Sequence, residues 1–75
     1  MLTQDEIIQK LDQEINAGRG ESMFNEVQFS VDFEASTVLS FDADNDEWLV
    51  NAFTVSGTDV EVAAMPMMSF PGASL

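Results

Sequence analysis

Phe41-Asp42-Ala43-Asp44-Asn45-Asp46-Glu47-Trp48 sets four carboxylates in six residues between two large aromatics. Asp and Asn tolerate turn geometry and hydrogen-bond their own backbone, so Asp42 to Glu47 reads as a hairpin turn. Strand patterns run away from it on both sides. Before it, Thr37, Leu39 and Phe41 alternate with Val38 and Ser40, which predicts a strand over 36–41. After it, Trp48 to Val55 predict a strand over 47–55 that is partly apolar on both faces. Turning Leu49, Phe53 and Val55 inward leaves Asn51 as the one polar residue to explain. Trp48 and Val50 then form an apolar patch on the outer face.

The pattern continues outward. Val27, Phe29, Val31 and Phe33 alternate with Gln28, Ser30, Asp32 and Glu34, predicting a strand over 26–34 with one apolar and one acidic face. That is the signature of an antiparallel sheet covered on one side only. Glu34-Ala35-Ser36 is a weak turn signal. Ser56-Gly57 is a two-residue hairpin loop in which Gly supplies a positive φ. Val60 and Val62 then alternate with Asp59 and Glu61 in a strand over 58–64.

At the N-terminus, Thr3-Gln4-Asp5-Glu6 is a capping box, with the Thr3 hydroxyl and the Glu6 carboxylate each reaching the other's amide. Ile7, Ile8, Leu11 and Ile15 follow at helical spacing, and Glu6, Lys10 and Glu14 form an i, i+4 ladder. Gly18 stands where a helix ends, so a helix is expected over 3–17. Its narrow apolar stripe suits a helix lying on a sheet. The fold class expected is α+β: one small domain over 1–75, an N-terminal helix packed on one face of a four-stranded antiparallel β-meander.

Composition narrows the chemistry. Seventy-five residues with 45% hydrophobic content, six Phe and one Trp make a chain too apolar for a disordered tail. A single core of this size supplies about 3–5 kcal/mol, and without cysteine or histidine there is no disulfide or thiolate–imidazole zinc staple. Self-association would enlarge the core, and a homo-oligomer is expected. Asp5, Glu6, Asp12 and Glu14 rule out a signal or transit peptide in the first 17 residues, and the longest apolar run falls far short of the ~20 residues that span a bilayer. A soluble, cytoplasmic protein is the expectation.

Without His, Cys or Tyr, the usual nucleophile–base pairings are absent, and a carboxylate pair would need a substrate cleft this chain hardly provides. No enzyme activity and no cofactor are expected. Gly18-Arg19-Gly20 lacks the lysine and the following helix of a phosphate loop. Asp42, Asp44 and Asp46 reproduce the first half of a calcium-loop pattern. The second half fails, with Glu47 where glycine is needed and Phe53 where a bidentate Glu belongs. A weak surface cation site at these three residues is the most that pattern supports.

Charge is the outlier. Fourteen acids face two bases, for a net −12. Such a surface repels nucleic acid and anionic membranes and attracts basic proteins. Asp32, Glu34, Asp59 and Glu61 are expected on the outer side of the sheet. Asp42, Asp44, Asp46 and Glu47 crowd one end of it, with Glu26 and the helix acids in support. In composition the chain is similar to small acidic gene products of phages and mobile elements that block host nucleases, restriction enzymes or CRISPR complexes. A DNA mimic that inhibits a basic nucleic-acid-binding protein is therefore the leading expectation. The alternative is a small structural or adaptor subunit. It would assemble through a sheet edge, Trp48 and the apolar tail 65–75, in which Met65, Met67, Met68 and Phe70 supply the contacts. The two prolines of that tail argue against a regular central strand there.

Overall fold

The computed structural model describes residues 1–16 and 28–74. The expectations placed on Gly18-Arg19-Gly20, on Glu26 and on the first residues of the 26–34 strand lie outside them. The element order is α1 (Gln4–Asn16), β1 (Phe29–Asp32), β2 (Thr37–Asp42), β3 (Glu47–Ser56), β4 (Asp59–Val62), β5 (Met68–Pro71) and a 3₁₀ turn at Gly72–Ser74. The fold is α+β, as the periodicities predict. No helix among the described residues is long and apolar enough to cross a membrane.

The capping box forms as written. Thr3 N–H donates to Glu6 Oε1 at 2.9 Å, and Glu6 N–H donates to Thr3 Oγ1 at 3.2 Å. Thr3 is thus the cap, and α1 begins at Gln4. Leu2 and Ile7 hold the two positions of a hydrophobic staple, and both pack against the core cluster. Leu11 is fully buried, whereas Ile8, expected on the same stripe, is 37% exposed and lies off it.

All strand pairings are antiparallel, in the order β1-β2-β3-β4, with β5 also on β3. Cross-strand partners share a face of a sheet. The register Val31↔Val38↔Asn51 and the pairs Phe53↔Val62 and Val55↔Val60 therefore define the helix-facing side. Leu11, Val38, Phe53 and Val60 form the buried core, with Phe33 set edge-on against Phe53 at 6.3 Å. Of the three residues expected inward on β3, Phe53 is buried and Leu49 half-buried, whereas Val55 shares their face but is 43% exposed, toward the end of the strand. For β2 the buried residue is Val38, so Leu39 and Phe41 look outward with their partners Val50 and Trp48.

The apolar tail is a strand. β4 and β5 lie end to end along one edge of β3, which pairs with β4 through Phe53–Ser56 and with β5 through Glu47–Val50. From Val62 to Met68 the returning chain takes six residues to cover the three that β3 takes from Phe53 to Val50. The excess bulges out around Pro66. It is pinned by Ala63 N–H to Ala52 O at 2.9 Å and Met67 N–H to Val50 O at 2.7 Å. Asn51 donates its side-chain amide to the Ala63 carbonyl at 3.0 Å, which accounts for the one polar residue in its row. Both prolines sit where a missing N–H is tolerated, Pro66 in the bulge and Pro71 at the end of an outer strand.

Candidate interaction surface

The two hairpin turns of the β1-β2-β3 meander share one design. In the first, Asp32 Oδ1 accepts from Glu34 N–H and Ala35 N–H, both at 3.0 Å, and Ser36 takes a positive φ of 55°. In the second, Asp42 Oδ1 accepts from Asp44 N–H at 3.1 Å, Asp42 Oδ2 accepts from Asn45 Nδ2 at 2.8 Å, and Asp46 has φ 51°. The left-handed residue of each turn offers its carbonyl to a neighbouring element: Ser36 O accepts from Phe53 N–H at 3.0 Å, and Asp46 O from Gly72 N–H at 2.8 Å. Asp32 and Asp42 thus hold turns together, a role that needs no partner.

The eight acids expected in one array fall at two ends of the sheet. Asp44 and Asp46 are exposed at the β2-β3 turn. Asp42 and Glu47 are half-buried cross-strand neighbours on the helix side, a like-charge pairing that opposes the strand register. Asp32, Glu34, Asp59 and Glu61 are exposed toward the opposite end, about 20 Å away at ~3.3 Å per strand residue. Glu34 belongs to a turn and not to the strand expected for it. Among the described residues no group of three or more carboxylates is arranged to hold a metal ion, so Asp42, Asp44 and Asp46 do not converge as the half calcium-loop pattern suggests.

Between these acidic ends the outer face is apolar. Two cross-strand rows run over β2, β3 and β5: Leu39–Val50–Met68 and Phe41–Trp48–Phe70. The Phe41 and Trp48 rings stand 5.0 Å apart and tilted by 56°. Trp48 Nε1–H donates to the Gly72 carbonyl at 3.3 Å, which ties the indole to the 3₁₀ turn. A groove of about 320 Å³ lies beside these rows, lined by Ser30, Asp32, Thr37, Leu39, Val50 and Phe70. Met65 and Met67 stand out from the bulge at 79% and 63% exposure, and Met68 is exposed at the start of β5. The sequence reading placed Trp48 and Val50 on this face and missed Leu39 and Phe41. Their i, i+2 spacing carried the signal, once the register set them opposite Val50 and Trp48.

A second groove, about 400 Å³, runs between α1 and β4 and is lined by Lys10, Gln13, Glu14, Thr58, Asp59 and Glu61. At the start of the same helix, the Thr3 amide and hydroxyl, with a smaller contribution from Lys10, hold the Glu6 carboxyl below its ordinary value. No protein family, curated protein or solved structure matches this chain.

Proposed function

We propose that this chain is a non-enzymatic acidic protein that binds a basic, nucleic-acid-binding site on another protein and blocks it. Charge placement carries this reading. Fourteen acids stand against two bases, and exposed carboxylates cap both ends of a hydrogen-bonded sheet. Duplex DNA sets one charge per ~1.7 Å of axis, so this array is sparser but of the same sign. Association would be fast and salt-sensitive, the protein would not itself bind nucleic acid, and a cytoplasmic location goes with the role. The test is affinity capture from native-cell lysate, eluted over a salt gradient. A basic nucleic-acid-binding protein released by moderate salt and displaced by competing DNA or RNA supports the reading. Capture that persists in the Asp44→Lys/Asp46→Lys variant, or that ignores nucleic acid, overturns it.

The exposure of Met65 and Met67 on the bulge favours a second reading. Here the chain is an adaptor subunit, or a homo-oligomer, held through its outer edge, with acidity serving solubility. Because Met68–Pro71 is part of the sheet, the discriminating variant is Met65→Ser/Met67→Ser and not a deletion of the tail. Loss of assembly in that variant, with the partner otherwise held through high salt, supports the adaptor.

A further inference from the structure

We infer that the outer face of the sheet is the docking surface for a basic amphipathic helix of the partner protein, an inference that rests on the acidic-docking reading above. Six side chains form the floor: Leu39, Phe41, Trp48, Val50, Met68 and Phe70. Among the described residues, α1 lies on the opposite face, and its packing is against β4. The three strands that carry the floor span about 10 Å at ~4.8 Å per strand, which matches the 10–12 Å diameter of an α-helix.

The rim is acidic at both ends. On the outer face, Asp32 pairs with Thr37 and Glu61 with Thr54, both on the side of the Leu39 row away from Phe41. Past the Phe41 row comes the β2-β3 turn with its exposed Asp44. From Asp32 to Asp44 is on the order of 20 Å, the length of about 13 helical residues at ~1.5 Å each. The complementary ligand is a helix of three to four turns with an apolar stripe and Lys or Arg at both ends. A second copy fits the floor but not the rim, because stacking two chains of net charge −12 sets acid against acid at each end.

Trp48 is the only tryptophan and sits in this floor, so its emission reports occupancy directly. The experiment titrates the full chain with a synthetic leucine–lysine peptide of about four helical turns, Leu in one stripe. Two controls replace every Leu by Ser, or every Lys by Glu. Expected is a saturable blue shift of Trp48 with the leucine–lysine peptide, with binding about tenfold or more weaker for serine–lysine. The leucine–glutamate peptide is expected to give no shift. In the protein, Leu39→Ser weakens the leucine–lysine peptide, while Ile8→Ser, on the exposed side of α1, does not.

Equal binding of the serine–lysine and leucine–lysine peptides overturns the use of this face and leaves acidic docking standing. Failure of both lysine peptides removes the two together. Equal binding of leucine–glutamate overturns the role of the rim. A blue shift on raising protein concentration alone, with a dimer in sedimentation, assigns the face to a second copy and overturns the proposal.

Discussion

The backbone amide of Gly72 donates to the carbonyl of Asp46 at 2.8 Å, and a Cβ placed on Gly72 would run into the Asp46 carboxylate. The last turn of the described chain is therefore closed directly onto the acidic hairpin, and a side chain at Gly72 would have to push the exposed Asp46 carboxylate aside. Trp48 reinforces the closure by donating its indole N–H to the Gly72 carbonyl. The acidic turn and the aromatic face are thus both hydrogen-bonded to the 3₁₀ turn at Gly72–Ser74.

The first prediction concerns that contact. Gly72→Ala is expected to destabilise the fold by about 0.5–1 kcal/mol, because the exposed Asp46 carboxylate must swing aside to admit the methyl group. Asp46→Gly removes the carboxylate and relieves a positive φ at a non-glycine residue, so it should recover most of the loss in the double variant. Urea denaturation of the four proteins of the cycle gives the coupling. Additive effects would show that the two positions do not interact.

Leu11 and Ile8 are three residues apart on α1, with opposite environments. Leu11→Ala is expected to cost about 2–5 kcal/mol, comparable to the whole stability of a core this small, so the variant should be largely unfolded at 25 °C. Ile8→Ala should change stability by less than about 0.5 kcal/mol. Far-UV circular dichroism and thermal melts read both.

Turn acids and free acids separate by stability. Asp32 accepts two backbone amides, so Asp32→Ala should cost about 1–2 kcal/mol by leaving the first hairpin turn without its acceptor. Glu34→Gln, in the same turn, should be neutral or slightly stabilising because it lowers the net charge of −12. Paired urea melts at low salt measure the contrast. A loss in Glu34→Gln equal to that in Asp32→Ala would contradict the assignment.

Glu6 links the start of α1 to pH. Its carboxyl titrates below the ordinary glutamate value because the Thr3 amide and hydroxyl, and to a lesser extent Lys10, favour the charged form. A lowered folded pKa contributes stability that is present above the unfolded value and is lost as pH falls through the folded one. Discharge of the other carboxylates relieves repulsion over the same acid range, so the effect is read as a difference. The stability gap between wild type and Glu6→Gln, which keeps a capping-box partner without the charge, should shrink on acidification below the ordinary glutamate range. A gap that does not change with pH would remove the ionic contribution of this cap.

The helix cap, the alternating strands, the acidic hairpin and the α+β class were legible in the sequence. Each rests on residues close along the chain: Thr3 bonded to Glu6, Asp42 bonded to Asp44 and Asn45, Val60 and Val62 alternating with Asp59 and Glu61. The facing of β2 was not. Val38 alternates with Leu39 and Phe41, both faces are apolar, and a period of two carries no sign to say which is inside. Only the helix, by laying Leu11 against Val38, Phe53 and Val60, decides it. The strand Met68–Pro71 was equally hidden, because its stability comes from unpaired groups on β3 about twenty residues earlier and its prolines are harmless only at a bulge and an outer edge. Asp32, Glu34, Asp59 and Glu61 stand at the opposite end from the acids of 42–47 because successive antiparallel strands reverse direction at each turn. Sequence alone thus determined the local elements and the net charge of this protein. Tertiary structure decided which apolar row is core and which is surface, since that choice depends on partners brought together from distant parts of the chain.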